Sequence, residues 1–324
     1  MFRKLVLIML GMAIALSACG SSGSTNEALT KIRLPLGYIP NIQFAPLYVA
    51  VEKGYFRDAG IEIEFDYKFE TDGVALVGAG ELPFAVVSGE QVLLARAQGL
   101  PVTYVAAWYQ QYPVSVVAKS ELGIVVPQDL KGKKIGLPGL FGANYIGLRA
   151  LLNAGKLSES DVTLDSIGFN QVETMAAGQQ DIVVGYTANE PIQLRSRGIA
   201  VTELRVADYA QLAANGILAS EKVITENPDL VRAFVGAFLK GLKYTNENPE
   251  EAFTLSGTYI PNFADLDADV QKQVLAISTE QWQADRLGYS DPQAWENMQA
   301  VLLDMGLLTE KLDLSKAFTN EFIP

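Results

Sequence analysis

The side chains that can do chemistry in this chain lie mostly in loops at the predicted ends of strands, and they suit binding rather than catalysis. They are aromatic rings, amides, a serine and two carboxylates: Tyr38, Asn41, Gln43, Phe44, Ser88, Glu90, Trp108, Tyr109, Gln110, Tyr145, Tyr186, Asn189 and Glu190. Rings can stack on a flat heterocycle, and amides and carboxylates can pair with its nitrogens, carbonyls or hydroxyls. We therefore predict that these residues bind a small molecule, and we assign no catalytic residue and no metal ligand.

The composition excludes several kinds of chemistry. The 324 residues include no histidine and one cysteine, Cys19. This excludes Ser-His-Asp catalysis, histidine-based zinc sites and an internal disulfide, and it leaves a thiol nucleophile without a histidine base. The formal net charge of −12 argues against nucleic acid or an anionic membrane surface as a partner. We expect a protein that is not an enzyme and holds no cofactor.

The segment 37–56 positions the first of these loops. Apolar residues alternate before Gly37 as in a strand, Pro40 and Asn41 interrupt the run, and apolar residues recur at helical spacing from Phe44 onwards. A loop between the carboxyl end of a strand and the start of a helix is the usual ligand mouth of an open α/β sheet. This segment is therefore expected to open the binding site.

Strand and helix patterns alternate along the rest of the chain, which predicts an α/β fold with largely parallel sheets. Loops 38–44, 88–90 and 108–112 come from the first part of the chain, and loops 139–145 and 186–190 come from the second. We expect these loops to converge on one cleft between two lobes, where closure of a hinge removes water and completes the ligand contacts.

Each candidate also has an ordinary structural explanation. Aromatic residues are more often core than cleft, so about half of the rings near these loops are expected to face the interior. Trp108 and Tyr186 are the preferred stacking residues, and Phe44 is the least suited because it fits the apolar face of its helix. Glu190 fits the first turn of the following helix as well as it fits a ligand contact, and Asn41 can simply form a turn.

The first residues have the features of a lipoprotein signal. Arg3 and Lys4 precede the uncharged segment 5–16, and Cys19 follows Leu-Ser-Ala. Such a segment is shorter than the about 20 apolar residues that span a bilayer, and this arrangement is typical of a secretory signal peptide. We expect residues 1–18 to be removed, Cys19 to carry lipid and residues 19–30 to form a flexible tether. The protein would then be extracytoplasmic and held at the cell membrane only by its lipid.

Two motifs resemble those of substrate-binding proteins of ABC importers. The first is GYIPNIQFAPLYVAVEKGYF at 37–56, and the second is DLKGKKIG at 129–136, which opens the second lobe in that family. The resemblance begins at about residue 31, continues to the end of the chain, and includes members that capture thiamin pyrimidine precursors, alkanesulfonates, nitrate or riboflavin. It implies a two-lobed periplasmic-binding-protein fold of type 2 and an ABC permease as partner. Lobe one would comprise 31–113 and 216–324, and lobe two would comprise 114–215.

The five loops favour a neutral aromatic ligand. They contain no Arg or Lys, the donors that a small oxyanion calls for, although the glycines of loop 139–145 suit either a tight turn or backbone amides that face a ligand oxygen. The form IQFAP at 42–46 resembles the riboflavin-binding members of the family. Riboflavin or a related flavin is therefore the expected ligand.

Two other ligands stay open as alternatives, whereas the composition argues against the related enzyme class. Members that bind thiamin pyrimidine precursors supply a ring and an acid, which Tyr186 and Glu190 match, but their first loop usually carries a histidine where this chain has Gln43 and Phe44. An alkanesulfonate or nitrate comes third. Thiamin pyrimidine synthases share this fold, but they depend on histidine and on a cysteine-rich segment that this chain lacks.

Overall fold

A computed structural model describes residues 28–324. The predicted signal peptide and Cys19 lie outside these residues. The strands are β1 Thr30–Pro35, β2 Ile61–Asp66, β3 Phe84–Val87, β4 Val102–Ala107, β5 Val114–Lys119, β6 Lys134–Leu137, β7 Thr163–Ser166, β8 Ile182–Tyr186, β9 Val201–Arg205 and β10 Gly216–Ser220.

The helices are α1 Ala45–Glu52, α2 Tyr55–Asp58, α3 Glu70–Gly78, α4 Gly89–Ala97, α5 Gly142–Ala154, α6 Gln171–Ala176, α7 Glu190–Ser196, α8 Glu221–Glu226, α9 Pro228–Glu247, α10 Pro249–Ser256, α11 Ala268–Trp282, α12 Pro292–Asp304 and α13 Leu314–Ala317. Helix α9 begins as an Asn-Pro start predicts, since the Asn227 side chain accepts the backbone N–H of Leu230 at 3.2 Å. Within residues 28–324, no helix has the length and hydropathy needed to cross a membrane.

The strands form separate sheets in two lobes. In lobe one, β1 pairs in parallel with β2, and β10 lies between β3 and β4 and runs antiparallel to both. In lobe two, the order is β7-β6-β8-β5-β9. Strand β6 is parallel to β7 and β8, whereas β5 is antiparallel to β8 and β9. The predicted two-lobed α/β fold is confirmed, but the sheets are mixed rather than largely parallel as predicted.

The two antiparallel strands are those that follow a crossing between the lobes. Strand β5 is the first strand after the outgoing connection 108–113, and β10 is the first after the returning connection 206–215. A chain that crosses at the cleft must start its next strand there and run away from it, opposite to the strands that end at the cleft. The predicted lobe boundaries, 113/114 and 215/216, fall at the ends of these connections and stay a prediction.

Helix α9 packs closely against α1 in lobe one. Residues 45–50 of α1 are all buried, so the helix is enclosed except for its last two residues. A Cβ added to Gly241 of α9 would lie 2.2 Å from the carbonyl oxygen of Pro46 and 2.7 Å from the Cβ of Ala50. The absence of a side chain at Gly241 therefore lets the two helices approach each other, which fixes the start of α1 beside the first cleft loop.

Replacing Gly241 with alanine should lower the free energy of unfolding by about 1–3 kcal/mol, because the added methyl group must displace the backbone of α1. Gly236 in the same helix is the matched control, since a Cβ there meets nothing within 4 Å. Gly236→Ala should leave stability unchanged or raise it by about 0.5–1 kcal/mol through helix propensity. Urea denaturation measures both changes, and equal stabilities of the two variants would contradict the close contact between α9 and α1.

Candidate ligand-binding site

A cavity lies between the lobes and encloses about 820 Å³ of space, including its opening to solvent. Residues of both lobes line it: Leu36, Gly37, Tyr38, Gln43, Phe44, Phe69, Glu70, Val86, Trp108, Tyr109, Pro138, Phe141, Gly142, Ala143, Asn144, Phe169, Gln171, Tyr186, Asn189, Glu190 and Asn215. The lining is rich in rings and amides, as the loop sequences predict.

The structure brings eight of the predicted site residues to this cavity. They come from the loops after β1, β4 and β8: Tyr38, Gln43, Phe44, Trp108, Tyr109, Tyr186, Asn189 and Glu190. Loop 139–145 also reaches the cavity, but through Phe141 and Asn144 rather than through Tyr145.

Two predicted site residues in the loops of lobe one lie outside the lining and have structural roles. Asn41 caps a short turn, because its side-chain oxygen accepts the backbone N–H of Gln43 at 2.9 Å. The backbone N–H of Gln110 donates to the carbonyl oxygen of Gln281 at 2.9 Å, which holds the crossing connection against α11.

Three further predicted residues are also displaced from the cavity. Ser88 and Glu90 are fully buried beneath its floor, where the Ser88 hydroxyl contacts both Glu90 and Glu70. The hydroxyl of Tyr145 donates to Glu159 at 2.5 Å and accepts from Arg149 at 2.6 Å. Tyr145 follows Asn144 on α5, and the helical turn of about 100° per residue directs it away from the cavity.

Several lining residues were missed by the sequence analysis: Phe69, Glu70, Phe169, Gln171 and Asn215. Phe69 and Glu70 follow the predicted strand β2, so the strand-end rule applied to that strand would have found them. Phe169 and Gln171 follow β7, a short edge strand that the sequence pattern did not reveal. Asn215 precedes β10, and because this strand starts at the cleft, a rule based on carboxyl ends cannot find it.

Aromatic rings from the two lobes contact each other at the cavity mouth. Tyr38 of lobe one packs edge to face against Phe169 of lobe two, with ring centroids 4.7 Å apart. Phe69 of lobe one lies 5.1 Å from Phe141 and 5.2 Å from Phe169. Phe141 is 41% exposed, so this group forms the boundary with solvent. The lobes are therefore closed on each other, and we name these four residues the aromatic rim.

Rings deeper in the cavity are packed into the core of lobe one. Trp108 is only 1% exposed, and its ring contacts Phe44, Phe238 and Trp282 at centroid distances of 6.1, 5.4 and 5.8 Å. Trp108 can therefore offer a ligand only a small part of its surface. The half-buried ring of Tyr186 is more accessible, so of the two preferred stacking residues the geometry favours Tyr186.

Hydrogen bonds between the lobes surround the cavity. The Asn189 side-chain nitrogen donates to the hydroxyl of Tyr38 at 3.4 Å. The hydroxyl of Tyr186 donates to the side-chain oxygen of Asn215 at 3.2 Å. Burial raises the pKa of both phenols, so both keep their protons at neutral pH. These contacts join the loop after β8 to both the first cleft loop and the returning connection.

Glu190 is one of two carboxyl groups in the cavity lining. Its Oε2 accepts the backbone N–H of Tyr186 at 2.6 Å, and its Oε1 accepts from the side chain of Asn189 at 3.1 Å. A Cβ at Gly185 would lie 2.5 Å from Oε2, so this glycine makes room for the carboxyl group. Burial raises the pKa of Glu190 to about 7. Glu190 therefore serves both as a first-turn acid of α7 and as a cavity residue.

Glu70 is the other carboxyl group of the cavity. Its Oε2 accepts the backbone N–H of Ser88 at 3.1 Å and contacts the Ser88 hydroxyl at 2.5 Å, and its Oε1 accepts from the Asn215 side chain at 3.1 Å. Burial, and secondarily the nearby Glu90, raise the pKa of Glu70 to about 8. No Lys or Arg of the described chain lines the cavity, and residues 28–324 contain no acidic or sulfur cluster arranged to hold a metal ion.

The fold and this cavity define a class of protein: a two-lobed solute-binding protein of the periplasmic type, with its site between the lobes. The alkanesulfonate-binding protein SsuA from Xanthomonas axonopodis pv. citri has this fold, with a TM-score of 0.72, 18% identity and alignment over 90% of this chain and 98% of that chain.

Sequence comparisons place the chain within one family of this class. A family model described as NMT1/THI5 like matches residues 41–252, and the chain belongs to this family. The riboflavin-binding protein RibY of Chloroflexus aurantiacus is 43% identical over 99% of this chain and 98% of its own length. The formylaminopyrimidine-binding protein of Halalkalibacterium halodurans is 28% identical over 98% of each chain. A 4-amino-5-hydroxymethyl-2-methylpyrimidine phosphate synthase of Legionella pneumophila is 24% identical over 91% of this chain and 93% of its own.

The burial of Glu190 predicts that the ligand-free protein loses stability as the pH rises. Because its pKa rises from 4.5 to about 7 on folding, its contribution is fully present below about pH 4.5 and is lost as the pH passes 7. Between pH 5 and pH 8, wild type should lose about 2–3 kcal/mol relative to Glu190→Gln. Chemical denaturation at each pH measures this difference. The exposed Glu121 provides the control, since Glu121→Gln should retain the pH dependence of wild type, and a parallel decline in Glu190→Gln would refute the assignment.

Proposed function

We propose that this protein captures riboflavin or a related flavin outside the cytoplasm and delivers it to an ABC permease. The observation that carries the proposal is a closed cavity lined by rings and amides and by no cation of the described chain. The relationship over nearly the full length to a protein named as riboflavin-binding supports this choice. The relatives that are 43% and 28% identical are both named as binding proteins, which supports transport rather than synthesis.

The cavity chemistry suits the two halves of a flavin. The aromatic rim and Tyr186 offer ring faces on which a flat tricyclic ring can stack, and offset stacking contributes about 0.5–1.5 kcal/mol per pair beyond the burial of area. Gln43, Asn189 and Glu190 supply donors and acceptors for the ring edge and the ribityl hydroxyls. Both kinds of contact come from side chains on different lobes, so the ligand completes the interface when the lobes close.

A thiamin pyrimidine precursor is the second candidate. Tyr186 can stack on its ring, and Glu190 can accept two hydrogen bonds from an aminopyrimidine. The relative that is named as formylaminopyrimidine-binding supports this alternative. An alkanesulfonate or nitrate has less support, because the described lining offers no Arg or Lys to pair with an oxyanion.

The amino end supports attachment to the membrane. Residues 1–18 have the composition of a signal peptide, and Cys19 stands where a lipoprotein is lipidated. In this arrangement residues 19–30 link the lipid to lobe one, and the permease recognises the closed, loaded form. Globomycin treatment of the producing cells, if they process the chain as a lipoprotein, should cause the uncleaved precursor to accumulate.

Titration of riboflavin with protein that begins after Cys19 tests the proposed ligand. We expect saturable quenching of flavin fluorescence, because stacked rings quench the isoalloxazine. Tyr186→Ala should weaken binding about tenfold through loss of stacking and of buried area. Tyr209→Ala is the matched control: Tyr209 is 43% exposed and lies outside the cavity lining, and its replacement should not change the affinity.

Thiamin, its aminopyrimidine precursors and taurine are titrated in parallel, with thermal stabilisation as the readout. Stabilisation by an aminopyrimidine with no flavin quenching would mean that the ligand is a pyrimidine rather than a flavin, and the protein would still be a solute-binding protein. Stabilisation by none of these compounds and no flavin quenching would refute the proposal of a flavin or pyrimidine carrier.

A further inference from the structure

Glu70 occupies a place in the cavity wall that the backbone keeps free for it. Gly37, at the end of the first strand, has a φ of 74°, which side chains rarely tolerate. A Cβ there would lie 2.5 Å from Cγ of Glu70. The half-buried Glu70 side chain therefore reaches the cavity across the backbone of the first cleft loop.

A chain of short contacts runs from Glu70 to the other lobe. The Ser88 hydroxyl contacts Oε2 of Glu70 at 2.5 Å and also contacts Oε1 of Glu90. The hydroxyl of Tyr112 lies 3.1 Å from Oε2 of Glu90 and 3.1 Å from the carbonyl oxygen of Ala143. Ala143 belongs to α5 of lobe two and lines the cavity.

The contacts between Glu70 and Ala143 require more protons than the two hydroxyl groups supply. The Ser88 hydroxyl has one proton for two carboxyl oxygens, so at least one of the two acids must itself donate. The Tyr112 hydroxyl has one proton, and the Ala143 carbonyl can only accept. These four contacts each have one donor and one acceptor when Glu70 donates to Ser88, Ser88 to Glu90, Glu90 to Tyr112 and Tyr112 to Ala143. The hydroxyl oxygen of the protonated Glu70 can still accept the Ser88 backbone N–H. In that arrangement both acids are uncharged.

We propose that Glu70 is a ligand-binding residue that acts as an uncharged carboxylic acid, with its Oε1 accepting a hydrogen bond from an N–H or O–H of a neutral heterocycle. Its proton remains on Oε2 and is directed to Ser88. Oε1 accepts from Asn215 at 3.1 Å, and a carboxyl oxygen has a second lone pair for the ligand. The inference rests on the proposed function and specifies its ligand class: a neutral ring with a donor at its edge, such as the imide N–H of a flavin.

The surroundings favour the uncharged form. No Lys, Arg or Asp of the described chain lines the cavity, so a charged Glu70 would have no counter-ion, and an unpaired buried charge is costly. The titratable groups that face it directly or across the cavity are acids and phenols: Glu90, Glu190, Tyr38, Tyr104, Tyr109, Tyr112 and Tyr186. A pKa of Glu70 of about 8 agrees with this placement.

The variant Glu70→Gln distinguishes an acid from a carboxylate. Glutamine keeps an acceptor at Oε1 and a donor directed to the Ser88 hydroxyl, and it differs from the neutral acid in one contact, since its amide nitrogen cannot accept the Ser88 backbone N–H that Oε2 accepts at 3.1 Å. Riboflavin affinity of the full-length mature chain is measured from pH 6 to pH 9 for wild type and Glu70→Gln. We expect the two affinities to agree within about threefold at pH 7, and wild type to bind about tenfold more weakly than Glu70→Gln at pH 9. The ratio of the two affinities is unaffected by the titration of Glu190 or of the ligand, because these titrations are common to both measurements.

Two results would overturn the inference. A loss of more than tenfold in Glu70→Gln at pH 7 would mean that the ligand needs a carboxylate, and a constant ratio of affinities from pH 6 to pH 9 would mean that Glu70 does not titrate in this range. If riboflavin does not bind but an aminopyrimidine does, the proposed ligand fails, and the same comparison with that compound decides the role of Glu70.

A readout without ligand separates the two proposals. The infrared difference between wild type and Glu70→Gln should contain the carbonyl band of a protonated carboxylic acid at pH 6 and lose it at pH 9. Absence of that band at pH 6 would refute the uncharged form whether or not any ligand binds. Thermal melts of both proteins at pH 6 check that Glu70→Gln is folded.

Discussion

One backbone carbonyl holds the two connections between the lobes together. The carbonyl oxygen of Asn215, on the returning connection, accepts the backbone N–H groups of Trp108 and Tyr109 on the outgoing connection, each at 3.0 Å. The side chain of the same residue bonds to Tyr186 of lobe two and to Glu70 of lobe one. The hinge and the polar floor of the cavity are therefore built from the same residue. A ligand that changes the contacts of Glu70 or Tyr186 acts directly on the point where the lobes turn, which is how filling a site can be coupled to closure.

The second constraint is electrostatic. The cavity contains two carboxyl groups and, within the described chain, no cation. Burial without a counter-ion raises the pKa of both acids, so a substantial part of each is uncharged near neutral pH. The alkanesulfonate-binding protein with the same fold is only 18% identical to this chain. A shared fold does not determine which ligand a protein binds. Selectivity is determined by the side chains at the cleft, and here they disfavour anions.

The sequence predicted the two lobes because strand and helix patterns are local, and it predicted eight cavity residues because the carboxyl ends of most strands meet at the cleft. Its errors have physical causes. Tyr145 and Asn144 are neighbours in sequence but lie on different faces of α5, which only the phase of the helix decides. Asn215 lies before an antiparallel strand, whose direction depends on the crossing between lobes. Glu90 is suited by type to a ligand, but its partners Ser88 and Tyr112 lie beneath the floor, and burial depth depends on packing that no local pattern records.

Closure and selection are carried out by different layers of the cavity. Tyr38, Phe69, Phe141 and Phe169 contact one another across the mouth, so closing the lobes brings these rings together whatever compound lies inside. Contacts that form with every ligand stabilise the closed state uniformly and cannot discriminate between compounds. Discrimination must come from the polar groups below the rim, where a ligand that leaves Glu70, Asn215 or Glu190 without a partner pays the cost of an unsatisfied buried group. The rim therefore determines how readily the lobes close, and the acids and amides beneath it determine which compound they close on.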